Sequence, residues 1–155
     1  AYLNRANAKS KSGDNLGAVK DYSDAIRFSE PNTVATAGIY SKRAAVKVAL
    51  SDNNGAIEDC DTALQIDPDL SEAYKIRGDA KSNMKQYKEA IEDYNMTIYL
   101  QPDFVAAYYR RGKARIEIDN VLAAKIDFRT ALKFSKLNET QTLKDEIENA
   151  IKFLK

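Results

Sequence analysis

The sequence predicts an all-α fold: four two-helix hairpins stacked as a solenoid and closed by a C-terminal capping helix. Three observations predict it. A tyrosine-led block recurs as YLNRANAK at 2, YSKRAAVK at 40, YKIRGDAK at 74 and YYRRGKAR at 108, with spacings of 38, 34 and 34. A second block follows each one: AVKDYSDAI at 18, AIEDCDTAL at 56, AIEDYNMTI at 90 and AKIDFRTAL at 124, at the same spacings. Three of the second blocks lead into a proline, Pro31, Pro68 and Pro102. Self-similarity at a period of this length signals a stacked-repeat architecture.

Each copy reads as two helices, over about 1–32, 37–70, 71–104 and 105–136. In the third copy, Ala73, Ile76, Ala80 and Met84 form one apolar face, and Tyr87, Ala90, Ile91, Tyr94 and Ile98 form another. MKQ, residues 84–86, is the turn between them. LQPDF, residues 100–104, ends the second helix, because proline cannot continue a helix interior and restricts the residue before it. Small residues mark where the two helices cross closely: Ala6, Ala44, Gly78 and Gly112 in the first helices, Ala18, Ala56, Ala90 and Ala124 in the second. The first copy carries four extra residues within SEPNTVATAGIY, residues 29–40. They either lengthen the loop before the second hairpin or add about a turn to its first helix. NETQTLKDEIENAIKFLK, residues 138–155, places Leu143, Ile147, Ile151 and Leu154 on one helical face. An open solenoid must cover its last apolar face, so a capping helix is expected there. A docking or dimerisation helix would carry the same pattern.

These blocks resemble the tetratricopeptide repeat family, over residues 1 to about 135. The matching motif is Ala-x3-aromatic: Ala18-x3-Tyr22, Ala90-x3-Tyr94 and Ala124-x3-Phe128, with Ala56-x3-Cys60 departing at one position. A buried cysteine serves there as a small hydrophobe. The resemblance implies a right-handed solenoid whose first helices line a concave, peptide-binding groove. It also implies a non-enzymatic scaffold or adaptor without a cofactor.

Composition excludes several other classes. Of 155 residues, 24 are basic and 23 acidic, and a net charge of +1 gives no electrostatic reason to expect a nucleic-acid partner or a membrane surface. No apolar run approaches the roughly 18 residues of a membrane helix. Histidine is absent and Cys60 is the only cysteine, which excludes disulfides and Cys/His zinc sites within one chain, and triads with a histidine base. The lack of a cysteine pair and of a visible signal segment favours a cytoplasmic location. The chain begins mid-pattern, as a fragment or mature form would.

Arg5, Arg43, Arg77 and Arg111 lie three residues after the block tyrosine, and Lys9, Lys47, Lys81 and Arg115 seven after it. Those offsets share the helix face that carries the small crossing residue, so the cations point at the partner helix. Each second helix has an acid just before its aromatic position: Asp21, Asp59, Asp93 and Asp127. A buried charge is tolerated only when paired. Each aspartate is therefore expected to pair with an arginine or lysine of its own hairpin or the next.

The family resemblance places the groove at offsets one, two and five after the tyrosine, with contributions further along and two before it. Those positions hold Leu3, Asn4 and Asn7; Ser41, Lys42 and Ala45; Lys75, Ile76 and Asp79; and Tyr109, Arg110 and Lys113. The expected binding residues are Asn4, Asn7, Lys42, Lys75, Asp79, Tyr109, Arg110 and Lys113, with Tyr109 and Arg110 as anchors. A cation-bearing groove suits a protein or peptide with an acidic or carboxylate-bearing segment. The family's chaperone-binding subtype clamps a C-terminal Glu-Glu-Val-Asp with lysine, arginine and asparagine. One frame of that clamp falls on Leu3, Asn7, Lys42, Glu72 and Ile76, the next on Ser41, Ala45, Ile76, Ala106 and Arg110. Only Asn7 matches the first frame and only Arg110 the second, so a complete clamp is not expected within these residues; in a third frame, with a repeat before residue 1, Asn4 and Lys42 fall at clamp positions, lysine standing where arginine is expected. Self-assembly through an end face or the last helix is the competing non-enzymatic reading.

Overall fold

The computed structural model describes residues 1–135 and 141–154. Among them are nine α-helices and no strands: α1 (Tyr2–Ser12), α2 (Asn15–Arg27), α3 (Val34–Ala49), α4 (Asn53–Ile66), α5 (Ser71–Asn83), α6 (Tyr87–Leu100), α7 (Val105–Glu117), α8 (Val121–Ser135) and α9 (Gln141–Phe153). They pair as the repeat requires, α1 with α2, α3 with α4, α5 with α6 and α7 with α8. The expected hairpins are all present. The start of the expected capping segment, at 138, lies outside the described residues.

Each turn inside a hairpin is built the same way. One residue adopts the left-handed conformation: Gly13 at φ 85°, Ser51 at 63°, Lys85 at 61° and Asp119 at 59°. The next backbone N–H then donates back to the carbonyl of the cation seven residues after the block tyrosine, Asp14 to Lys9, Asp52 to Lys47, Gln86 to Lys81 and Asn120 to Arg115, at 2.8–2.9 Å. This is the helix-ending loop that glycine normally serves, since it has no Cβ to strain. Only the first hairpin uses glycine. Two of the following helices start on an aspartate cap: the N–H of Gly17 donates to Asp14 and that of Gly55 to Asp52, both at 3.0 Å.

The four extra residues do both things that the sequence allowed. Relative to α5 and α7, α3 begins three residues further before its tyrosine, and the loop ahead of it runs over residues 28–33. Thr33 caps α3 by accepting from the Thr36 N–H at 3.1 Å, and the Thr36 hydroxyl donates to the Glu30 carbonyl at 2.6 Å.

Core packing follows the small-residue rule. Ala6, Ala18, Ala44, Ala56, Ala90 and Ala124 are fully buried. A Cβ on Gly78 would stand 2.8 Å from the Tyr94 ring, and one on Gly112 would stand 2.7 Å from the Phe128 ring. At these two positions a Cβ would force the ring to shift. In the second hairpin the aromatic is replaced by Cys60, and Ile76 of the next hairpin joins Cys60, Ala44 and Ala56 in one cluster. Burial pushes the Cys60 thiol up to about 12. Met84 departs from expectation: it caps α5 at the turn and is exposed rather than part of the apolar face.

The first helices also touch along the array, α3 on α5 and α5 on α7, whereas each second helix packs on its own partner and on the next first helix. The first helices accordingly line the inner, concave side. Ile147, with Leu143, Ile151 and Leu154, packs α9 on Tyr109 and Phe128 of the last hairpin. This helix covers the end that would otherwise expose the core.

Candidate functional site

The conspicuous cations of the first helices are consumed by structure. In every hairpin both basic residues meet the aspartate of the second helix, which is almost fully buried. Arg5 and Lys9 meet Asp21 at 2.6 and 2.9 Å. Arg43 and Lys47 meet Asp59 at 2.6 and 3.0 Å. Arg77 and Lys81 meet Asp93 at 2.6 and 2.7 Å, and Arg111 and Arg115 both meet Asp127 at 2.7 Å. The pairing is within the hairpin, one of the two registers the sequence allowed. Each arginine also lies 5.3–5.5 Å from the ring of its block tyrosine, Tyr2, Tyr40, Tyr74 or Tyr108. The Arg5 hydrogen bond holds the Asp21 carboxyl well below its ordinary range. For Arg77, burial works against the charge, but the hydrogen bonds to Asp93 and Asp61 outweigh it and its pKa is raised. Among the described residues no buried side-chain polar atom lacks a partner.

What remains open is the concave side, where two recesses collect the uncommitted polar groups. The first, about 530 Å³, lies between α1 and α3 and is lined by Asn7, Ser10, Lys11, Asn15, Tyr22 and Lys42, with Ala45, Val46 and Ala49 as its apolar wall. The Tyr22 hydroxyl donates to Asn7 Oδ1 at 2.8 Å and fixes that side chain. No carboxylate lines this recess. The second, about 210 Å³, is lined by Val48, Asp79, Ser82, Asn83, Tyr94, Arg110 and Lys113. Here Asp79 accepts from the Tyr94 hydroxyl at 2.8 Å, with Lys75 Nζ at 3.2 Å and Arg110 Nε at 3.7 Å. Burial and the neighbouring Asp79 charge raise the Tyr94 pKa. Lys113 Nζ stands 5.6 Å from the Tyr109 ring. Glu72 also stands 3.6 Å from Lys75, so two carboxylates meet three cations, and Lys113 has no ion pair among the described residues.

Of the eight residues expected in the groove, Asn7 and Lys42 meet in the first recess, and Lys75, Asp79, Arg110 and Lys113 gather at the second. Asn4 is exposed and lines neither. Tyr109 is a correction: it is only 9% exposed, packed on Phe128 and Ile147. Burial, then the nearby Glu146 of α9, raises its pKa. At Tyr109, unlike Lys75, the side chain at offset one from the block tyrosine turns toward the following element, which after the last hairpin is α9. Leu3, at the same offset, packs in the cluster that holds Ile39 and Val46 of α3. Ser41 and Ile76 are buried too, which removes them from any clamp frame. The sequence reading did not name Ser10, Lys11, Ser82 and Asn83; they lie eight and nine residues after the tyrosine, one helical turn beyond offset five.

A tetratricopeptide repeat family model matches residues 71–104, the third hairpin. The solved TPR domain of Arabidopsis OM64 is 30% identical over 74% of this chain and 92% of that one, with a TM-score of 0.70. The chain belongs to the tetratricopeptide repeat family. Two further solved structures share its fold. MamA is 22% identical over 96% of this chain and 91% of its own, with a TM-score of 0.72. The first TPR of Spaghetti (RPAP3) is 22% identical over 76% of this chain and 92% of its own, with a TM-score of 0.67. Tetratricopeptide-repeat proteins are as a rule interaction scaffolds rather than enzymes, and no group of acidic or cysteine side chains able to hold a metal occurs among the described residues. No described helix is long and apolar enough to cross a membrane.

Proposed function

We propose that this chain is a non-enzymatic module that captures an extended acidic segment of a protein partner in its concave groove. The observation that carries this reading is the division of the cations. Those of the buried ladder are each engaged by a buried aspartate, whereas Lys11, Lys42 and Lys113 form no ion pair among the described residues and face the recesses. Arg110 is held at 3.7 Å from Asp79 with 48% of its side chain still exposed. An incoming carboxylate gains charge-assisted hydrogen bonds there without dismantling the core. The framework is already folded, so the receptor has little ordering to undergo on binding. Spaghetti (RPAP3), whose fold this chain shares, was solved with the HSP90 peptide SRMEEVD, which is acidic. The clamp residues expected for such a peptide are only partly present here, so the segment recognised differs in detail.

The reading is tested by fluorescence anisotropy with a labelled acidic peptide that ends in a free carboxylate, beside its amide-substituted neutral twin. The acidic peptide should bind at least about tenfold tighter, lose affinity with added salt, and lose about tenfold or more in a Lys42→Ala/Arg110→Ala/Lys113→Ala variant. Equal binding of the two peptides, or full binding by the triple variant, overturns it.

A further inference from the structure

The position five residues after the block tyrosine lines a groove recess in all four hairpins: Asn7 and Ala45 in the first recess, Asp79 and Lys113 in the second. What stands there follows the second helix. Where that helix carries Tyr22 or Tyr94, the residue is a hydrogen-bond acceptor, and the tyrosine hydroxyl donates to it at 2.8 Å in both hairpins. Where it carries Cys60 or Phe128, which bring no hydroxyl, the residue is Ala45 or Lys113.

Asn7 shows that a neutral amide oxygen satisfies this tyrosine as well as a carboxylate does. The charge of Asp79 is therefore surplus to the structural role, and it is directed at the groove's own cations. Lys75 Nζ lies 3.2 Å from Asp79 Oδ2 and Arg110 Nε 3.7 Å from Oδ1, with the Asp79 side chain only 13% exposed. Arg110 belongs to the next hairpin, so this contact runs from α5 to α7 along the concave side. The first recess has Lys11 and Lys42 and no carboxylate in its lining.

We propose that Asp79 is a specificity-determining residue of the groove: it stands at Arg110 in place of a ligand carboxylate and opposes one that approaches the second recess. This rests on the reading of the groove as a site for acidic segments. A carboxylate reaches Lys11 and Lys42 uncontested, whereas at Arg110 it meets a like charge. At about 6 Å, with screening between that of water and that of a protein surface, the repulsion weakens binding about tenfold. Asp79 can still accept from a neutral donor, and Ser82 and Asn83 stand beside it in the same recess. The favoured segment therefore carries its acids at the first recess and a hydroxyl or amide side chain at the second, and a uniformly acidic segment is disfavoured.

The test uses labelled peptides of about eight residues, long enough at about 3.3 Å per residue to span two steps of about 10 Å between neighbouring first helices. One is glutamate throughout, two have glutamate in one half and serine in the other, in either order, and the neutral twin is all glutamine. In fluorescence anisotropy with the parent chain, the better half-acidic peptide should bind at least as tightly as the all-glutamate one. Asp79→Asn keeps an acceptor for Tyr94 and should tighten the all-glutamate peptide about tenfold, while changing the better half-acidic peptide less than about threefold. Asn7→Asp keeps an acceptor for Tyr22, puts a carboxylate into the first recess, and should weaken both about tenfold. An all-glutamate affinity that Asp79→Asn leaves unchanged overturns the proposal, as does an equal gain by the glutamine twin. A lowered melting temperature without the gain assigns Asp79 to stability alone and overturns it too. If the parent still prefers glutamate to glutamine, the groove reading survives that failure; if parent and variants all bind the two equally, both readings fail.

Discussion

Replacing Asp93 with alanine tests the buried charge ladder. The Asp93 side chain is 4% exposed and accepts from Arg77 Nη2 at 2.6 Å and Nε at 3.0 Å, and from Lys81 Nζ at 2.7 Å. The substitution leaves two cations facing a void, and breaking a buried pair costs about 3–5 kcal/mol. Two features place this case at the lower end. Arg77 keeps Asp61 at 2.6 Å, and both cations retain 20% side-chain exposure through which water can reach them. The expected loss is therefore about 3 kcal/mol, which for a chain of this size lowers the melting temperature by about 9 °C. Circular dichroism melts and urea titrations measure it. Asp61→Ala is the control, because it removes a carboxylate from the same arginine that is 49% exposed, and such pairs contribute about 0–1 kcal/mol. If the Asp93→Ala melting temperature falls by less than about 3 °C, or by no more than that of Asp61→Ala, the reasoning fails. The desolvation of Asp93 would then already cancel what its partners contribute.

Gly78→Ala should destabilise by about 1–3 kcal/mol in urea, because its Cβ would meet a Tyr94 ring held in place by Asp79; a variant as stable as the parent refutes this. Lys85→Gly should gain about 0.5–1 kcal/mol by removing a Cβ from a residue at φ 61°, and a loss on the same assay would show that Lys85 is not strained there. Acid should destabilise the first hairpin through Asp21. Its folded pKa is depressed below the ordinary 3.8, so its contribution is complete above that value and is lost as the pH falls below about 4. Asp21→Asn should flatten the acid limb of a plot of melting temperature against pH, and an unchanged limb would assign it to other carboxylates.

The hairpins, their crossing residues and the ladder were legible because each recurs at one register. When Arg77, Lys81 and Asp93 have counterparts at matching positions three more times, the contact that joins them must be one that every hairpin makes. Contacts made by changing residue types leave no such trace. Ser23, Asp61 and Asn95 accept from Nη1 of Arg43, Arg77 and Arg111 of the following hairpin with three different chemistries, so no pattern in the sequence announces that bond. The same holds for Ser51, Lys85 and Asp119, which take a backbone conformation that the sequence marks only at Gly13.

The sequence by itself determined the number of hairpins, which helix faces meet, and that the basic stripe is structural, since periodicity and charge pairing are local and repeated. Only the tertiary structure decided which polar residues stay available. Tyr109 occupies a position one step from the groove, and the docking of α9 buries it. Cys60 leaves a space that Ile76 of the next hairpin fills, which takes Ile76 out of the groove. In each case the outcome depends on an element distant in the chain, and the residue's own repeat carries no record of that element.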